Sequence, residues 1–335
     1  MARAPVCERS KKPVSLLEVA AVLLLLTLSL GLRVTGLQRF IANDEVRWTC
    51  RSIQFREALR ERDWAGTFRV GHPGVVTTWL GAAFIPRGQT QAEDSSRASE
   101  GGMALDRVGT TPEERTRRIA ELGQLLFDGR VGVSLFTALC IAAIYLLTRL
   151  SFGPRVAVLG LGLIALDPFY LALSRVLHVD AVLASLMTLS ILSILAALRR
   201  SKPPAERLEL LSLSGIAGGL ATLQKSPALF LMPWTALLLT TYAWGEGVSR
   251  RALVRAGRDL VVWTLIVVVV YVALWPAMWA DPLGTIERVV DKAIGYAEEG
   301  HEAGNYFLGR PVQDPGWGYY PVATLFRMSP LVLMG

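Results

Sequence analysis

Long apolar segments, separated by short basic clusters, are the feature of this sequence that most limits its fold. The first covers residues 14–37, and its only charged residues are Glu18 and Arg33. Later segments cover residues 131–147, 156–173, 181–198, 208–223, 228–242 and 260–279, and a last one begins near residue 319. About 20 apolar residues are needed for a helix to cross a bilayer. The sequence therefore predicts an all-α, polytopic transmembrane helix bundle of about eight helices, the last one incomplete at residue 335.

The positions of the basic residues predict how the bundle is oriented. The net charge is +7, and the arginines and lysines flank the apolar segments, as the positive-inside rule requires. We therefore interpret the charge as a topology signal, and nucleic-acid binding is not expected. Residues 1–13 are predicted to be a cytoplasmic tail that precedes an uncleaved first helix. The three cysteines indicate no disulfide framework.

The number of membrane crossings between basic segments assigns the loops to the two sides. If the N-terminal tail and the basic clusters are all cytoplasmic, the number of crossings between them is even. The apolar stretch 74–86 is also too short to span, so we expect it to lie on the outer face. Residues 38–129 then form one long outer loop with surface helices at 74–86 and 112–127 and a disordered middle at 88–111. Residues 280–318 are predicted to form another outer loop.

Two acidic positions stand out on this outer side. Asp44 and Glu45 lie just beyond the first helix, where one of them could act as a general base. An isolated acidic pair is, however, more often an ordinary solvated carboxylate pair in a loop. Asp180 follows an outer turn and is the second candidate, although it could simply cap the next helix.

Histidines and cations complete the list of candidates. His72, His178 and His301 all fall on the predicted outer face and are candidates for substrate or metal binding, so a divalent metal is possible, although no cofactor is certain. The candidates for binding a phosphate are Arg130, Lys225 and Arg175, which could instead snorkel to lipid headgroups. Asp167 is an acid within an apolar segment, and we expect it to pair with Arg175. Gly215, Gly218 and Gly219 indicate either close helix contact or mere tolerance of glycine.

These motifs, taken in order, resemble those of the GT-C glycosyltransferases, specifically the protein O-mannosyltransferase and aminoarabinose transferase group. The resemblance rests on seven motifs: Asp44-Glu45, His72-Pro73, Arg130 to Ser134, Phe152-Gly153, Ser174-Arg175 with Asp180, Lys225 to Pro227, and Tyr319 to Pro321. This sequence departs from the family pattern at Gly74, where the family often has a second proline, and at Asp167-Pro168, where a small hydroxyl residue is usual before the proline. Relatives also continue through further helices beyond the point where this chain stops.

The resemblance implies a GT-C-like catalytic domain over residues 14–335. Such an enzyme transfers a hexose or pentose from a polyprenyl-phosphate carrier to an acceptor hydroxyl on the outer face of the plasma membrane, with inversion. Asp44 matches the catalytic carboxylate of the first outer loop and Asp180 the acid of the second, with Glu45 beside Asp44. Arg130 and Lys225 match positions that hold the lipid phosphate. The expected partners are the sugar donor and the bilayer, and the sugar and the acceptor stay open.

Two other classes of protein fit the composition. A transporter or flippase for a lipid-linked or polar substrate would favour charged or broken helices at mid-bilayer and inverted repeats. A non-catalytic scaffold would not need Asp44, Asp180, Arg130 and Lys225 on one side. Apart from Asp167-Pro168 the helices are free of such breaks, so the transferase is the preferred hypothesis.

Overall fold

The computed structural model describes residues 15–40, 42–86, 111–199, 203–245, 247, 249–298 and 305–334. The helices of the first half are α1 (Leu16–Val34), α2 (Asn43–Glu61), α3 (Val75–Phe84), α4 (Pro112–Phe152), α5 (Pro154–Leu166), α6 (Pro168–Leu173) and α7 (Val179–Ala197). Those of the second half are α8 (Pro204–Thr222), α9 (Leu231–Gly245), α10 (Arg250–Leu274), α11 (Ala277–Ala280), α12 (Pro282–Glu298), α13 (Tyr319–Arg327) and α14 (Pro330–Met334). Two short strands, β1 (Asn305–Phe307) and β2 (Arg310–Val312), form an antiparallel hairpin that the sequence did not predict.

The prediction of a polytopic helix bundle is confirmed. Within the described ranges, five helices are long and apolar enough to cross a membrane: Leu16–Val34, Leu126–Phe152, Val179–Ala197, Ser226–Gly245 and Arg250–Leu274. Two further segments run beside them. One is the pair α5 and α6, and the other is α8, whose first turns carry Glu206 and Arg207 and which packs between α7 and α10.

The described parts of residues 38–129, predicted to form the first outer loop, are more helical than the sequence suggested. Asp44 and Glu45 lie in the first turn of the 19-residue helix α2, where a negative charge is favourable. Residues 74–86 do form only a short helix, the ten-residue α3, which packs against α2. The helix expected at 112–127 is not separate, because α4 continues from residue 112 through the membrane-spanning part to residue 152. Of the stretch 88–111, expected to be disordered, residues 88–110 lie outside the described residues, and Thr111 caps α4.

The break between α5 and α6 corrects the expected pairing of Asp167. Its Oδ1 accepts a hydrogen bond from the backbone N–H of Tyr170 at 2.7 Å, so Asp167 caps α6. Arg175 instead donates to the carbonyl oxygen of Thr35. Proline at 168 has no N–H to continue the helix, so α5 ends at Leu166 and the carbonyls of its last turn lack helical donors. The buried Arg33 donates to one of them, that of Ala165, at 3.3 Å.

Glycines on α8 permit close contact with α10. A Cβ atom at Gly219 would lie 2.7 Å from the Cβ of Val270, and one at Gly215 would lie 2.9 Å from the Cβ of Ile266. Real Cβ atoms do not approach so closely, so these positions need glycine. Of the two interpretations left open by the sequence, close helix contact is therefore confirmed.

Charged clusters mark the end of the bundle opposite Asp44. Near the start of α1, Glu18 accepts hydrogen bonds from Arg149 at 2.5 Å and from Tyr145 at 2.7 Å. In the next basic cluster along the chain, Arg207 donates to the buried Asp259 at 2.6 Å. Arg130 and Arg149 lie about 28 Å apart along α4, at about 1.5 Å per residue. The basic clusters and the Asp44 region are thus separated by roughly the thickness of a bilayer core.

Candidate active site

Four separate segments meet at one end of the bundle and form what we call the Asp44 site, which comprises Asp44, His72, His178, Asp180 and Lys225. His178 lies between the two carboxylates: its Nε2 is 4.0 Å from Asp44 Oδ2 and its Nδ1 is 3.4 Å from Asp180 Oδ2. Lys225 Nζ is 3.1 Å from the other oxygen of Asp180. Residues far apart in the chain are thereby brought into one constellation.

Asp44 is the open carboxylate of the site. Its side chain is 60% exposed, and the guanidinium of Arg47, on the same helix, lies 3.9 Å from its Oδ1. An exposed carboxylate at the first turn of a helix can be reached by a substrate hydroxyl. Its position supports a role in accepting a proton.

Trp48, one turn after Asp44 on α2, forms the floor of the site. Its buried ring makes edge-to-face contacts with His72 and His178, at centroid distances of 5.7 and 6.2 Å. The guanidinium of Arg51 lies over the same ring at 4.6 Å. Neither Trp48 nor Arg51 was a candidate from the sequence, although the spacing 44, 48 and 51 is that of one helix face.

Gly74 explains how His72 and Lys225 are held together. It adopts φ +58°, and a Cβ atom there would lie 2.1 Å from the ring of Trp48. Proline, with φ near −65°, does not fit this conformation, so the departure from the family motif at this position has a structural reason. The N–H of Gly74 donates to the carbonyl of Gln224 at 3.0 Å, and Gln224 Oε1 accepts from the N–H of Thr77 at 3.1 Å. These bonds fix the turn that carries Lys225.

Glu45, a candidate catalytic residue, and Arg130, a candidate for binding the donor phosphate, form a buried ion pair with each other. Each residue is 1% exposed. Arg130 Nε and Nη2 donate to the two carboxylate oxygens of Glu45 at 2.6 and 2.5 Å, and its guanidinium also donates to the backbone carbonyls of Leu37 and Phe40. Glu45 Oε1 accepts a further bond from the N–H of Leu177 at 2.9 Å. With their polar atoms occupied and shielded, Arg130 is not placed to bind a donor phosphate, nor Glu45 to meet an acceptor.

Comparisons with known proteins agree with this fold. Residues 117–275 match the family model described as dolichyl-phosphate-mannose-protein mannosyltransferase. The structure resembles that of the S. cerevisiae protein O-mannosyltransferase Pmt1–Pmt2 complex bound to the sugar donor, with a TM-score of 0.57 and 18% identity. That match covers 82% of this chain, which spans only 35% of the length of the yeast chain. No curated protein sequence matches.

The chain is thus similar to the protein O-mannosyltransferases, in sequence over residues 117–275 and in its membrane-bundle fold. Its family match includes the segments that carry Arg130, His178, Asp180 and Lys225, whereas Asp44 lies before it. At 18% identity the yeast structure supports the fold alone.

The local environment of His72 in this mannosyltransferase-like fold disfavours its protonation. Burial, followed by the positive charges of Arg51 and Lys225, lowers the pKa of His72 from 6.5 to about 4. His72 is therefore neutral near pH 7 and can serve as a hydrogen-bonding group there. The third histidine of the sequence analysis, His301, lies outside the described residues.

The possibility of a divalent metal finds no support in the part of the chain that the structure describes. There, no three histidine, cysteine, aspartate or glutamate side chains are arranged to hold a metal ion. Asp180, which lies next to His178, already pairs with the ammonium of Lys225. The described residues therefore form no metal centre.

Proposed function

We propose that this protein is a membrane glycosyltransferase that moves a sugar from a polyprenyl-phosphate carrier to an acceptor hydroxyl, with inversion. The observation that carries the proposal is the open carboxylate of Asp44, set 4.0 Å from a histidine that also contacts the pair of Asp180 and Lys225. A base and a cation at one end of a membrane bundle are what such a transfer needs. The match to a mannosyltransferase family makes mannose the first sugar to test.

The proposed reaction is a single displacement. The acceptor hydroxyl loses its proton to the carboxylate of Asp44 as its oxygen attacks the anomeric carbon from the face opposite the carrier. The bond between that carbon and the phosphate oxygen breaks, and the electron pair leaves with the lipid phosphate. Because the attacking and leaving oxygens lie on opposite faces, the configuration inverts.

Cations in and beside the Asp44 site would stabilise the leaving phosphate. Lys225 is half-exposed at the bundle end, and Arg51 lies over Trp48 on the same side. A charge-assisted contact to phosphate is worth about 1.5–3 kcal/mol. Lys225 and Arg51 thus replace Arg130 in our proposal, and Asp180 acts on Lys225 as a positioning residue. Arg175 stays a weaker candidate, because it donates to the Thr35 carbonyl.

The charges at the two ends support a proposal for the side on which transfer takes place. Basic residues concentrate at the end that carries Arg149 and Arg207, and short loops with excess arginine and lysine stay in the cytoplasm. The Asp44 site, at the other end, would then face outward. We propose that the protein acts in the plasma membrane with this site on its outer face.

The direct test is an incorporation assay in membranes that contain the full chain and labelled polyprenyl-phosphate mannose. Asp44→Asn keeps the shape of the side chain but cannot accept the proton, so we expect transfer to fall by about 100-fold or more. Glu61→Gln, an exposed carboxylate at the far end of the same helix, is the matched control and should leave the rate unchanged.

The same assay also distinguishes a glycosyltransferase from a transporter or flippase. Near-normal transfer in a well-expressed Asp44→Asn protein would remove Asp44 from the mechanism. Movement of the labelled lipid across the membrane without transfer of its sugar would indicate a flippase. Label should first be sought in the protein, glycolipid and polymer fractions of the membrane.

A further inference from the structure

Helix α12 (Pro282–Glu298) has one face packed on the protein. Thr285 is fully buried and donates to the carbonyl of Ala277 at 3.3 Å. The guanidinium of Arg288 lies over the ring of Phe68 at 4.3 Å. Lys292 lies against Gly71, where an added Cβ atom would come within 2.3 Å of the lysine Cβ. This face holds α12 against the segment that leads to His72.

The other face of α12 is an exposed aliphatic stripe, which we define as Leu283, Ile286, Val290 and Ile294. Their exposed fractions are 80%, 46%, 47% and 50%. The residues are three or four positions apart, so at 3.6 residues per turn they share one side of the helix. Since Thr285 and the Cβ of Lys292 lie against the protein, the aliphatic stripe points away from it.

The position of α12 in the chain indicates what covers the stripe. Residues 275–281 connect it to the end of α10, a membrane-spanning helix. The second half of α10 also exposes aliphatic side chains, among them Val261, Leu265, Val268, Val269 and Leu274. Because α10 is long and apolar enough to cross a membrane, this exposed surface is suited to face lipid, and the aliphatic stripe begins close to where it ends.

Tryptophans at this junction indicate its depth. The indole N–H of Trp79 donates to the carbonyl of Leu274 at 2.9 Å, and that of Trp279 to the carbonyl of Val272 at 2.7 Å. Both rings are partly exposed, at 39% and 52%. Exposed tryptophans at the end of a spanning helix are typical of the membrane–water interface. Helix α12 thus starts at headgroup level.

We propose that α12 lies in the interface of the leaflet at the Asp44 end, with its aliphatic stripe in the acyl region. Amphipathic helices bind in this way through buried apolar area, supplemented by attraction of basic residues to anionic lipids. Here Glu287, Asp291 and Glu298 offset Arg288 and Lys292, so the acyl chains are the partner and anionic headgroups add nothing. Through Arg288 and Lys292, the lipid contact supports the segment beside His72. The proposal does not depend on the glycosyltransferase activity.

Site-directed fluorescence on the full chain in liposomes tests the proposal. In a background without the three native cysteines, Val290→Cys and Ile286→Cys would carry a polarity-sensitive probe, and Asp291→Cys on the flank of the same helix serves as the control. Nitroxide groups on the upper acyl chain should quench probes at 286 and 290 at least about twofold more than at 291. Adding anionic lipid to zwitterionic vesicles should not change this ratio.

Three results would overturn the proposal. Quenching at 290 by aqueous iodide and not by lipid nitroxide would place the stripe in water. Disulfide formation between two Val290→Cys chains would show that a second copy covers it. Protection of the probe from both quenchers, without such a crosslink, would show that another protein segment covers it. An inactive protein that passes the quenching test would overturn only the proposed function.

Discussion

Asp44 and Glu45 are neighbours in the chain but have opposite surroundings. Successive residues of a helix point about 100° apart, so one carboxylate faces outward while the other faces the bundle. Asp44 is 60% exposed, whereas Glu45 is 1% exposed and bound to Arg130. The first is available for chemistry and the second joins three elements of the fold.

Glu45→Gln should therefore reduce stability more than catalysis. Removing one partner of a buried ion pair leaves an uncompensated charge and costs about 3–5 kcal/mol. We expect a lower unfolding temperature in detergent, with Glu61→Gln as the control. The double variant Glu45→Gln/Arg130→Gln should recover part of the loss. An unchanged unfolding temperature combined with lost transfer would return Glu45 to a catalytic role.

His72 should make stability depend on pH. Its pKa is about 4 in the folded chain and 6.5 ordinarily, so between these values the unfolded chain binds a proton that the folded chain does not. Stability due to His72 is complete above pH 6.5 and is lost as the pH falls towards 4. As the pH is lowered across this range, the unfolding temperature should fall less steeply in His72→Gln than in the wild type. Equal slopes of unfolding temperature against pH in the two proteins would show that His72 does not cause the pH dependence.

At the scale of elements, close packing of α8 on α10 depends on missing side chains. Lipid provides no hydrophobic driving force between helices, so they associate through van der Waals contact and hydrogen bonds. Small residues permit the close approach that these contacts need. Gly215 and Gly219 meet Ile266 and Val270, while Ser190 on α7 donates to the carbonyl of Ser214 at 2.9 Å. Helix α8 is therefore held on both sides.

Gly219→Ala tests this contact against the intrinsic preference for alanine. Overpacking costs about 1–3 kcal/mol, which outweighs the gain of about 1 kcal/mol from helix propensity. The matched control is Gly160→Ala on α5, where an added Cβ meets nothing within 4 Å. We expect a lower unfolding temperature for the first variant and an equal or higher one for the second. Equal shifts in both would show that the contact is not limiting.

At the scale of the whole molecule, the two ends differ in chemistry. One end gathers Asp44, His178, Asp180 and Lys225, and the opposite end holds the ion pairs of Arg149 and Arg207. This separation agrees with the parity argument, in which the short helix α3 does not cross the membrane. The prediction that one end faces outward follows from the basic residues at the other.

Cysteine labelling in intact cells checks that topology. Single cysteines at the exposed positions Glu61 and Asp314 should react with an impermeant maleimide, and those at Ala205 and Arg250 should react only after the membrane is opened. The native cysteines would be replaced first. Labelling of Ala205→Cys in intact cells would reverse the orientation and move the proposed reaction to the inner face.

The sequence by itself determined the helical bundle, the short α3 and the list of polar residues at one end. The reason is that lipid offers no hydrogen-bond partners, so a long apolar run must form a helix that satisfies its own backbone. Only the tertiary structure decided the roles within that list. Arg130 lies 85 positions from Glu45 in the chain, and nothing local in either segment shows that they meet in a dry contact. Burial and partners are properties of packing, and they made Glu45 and Arg130 structural and left Asp44 open.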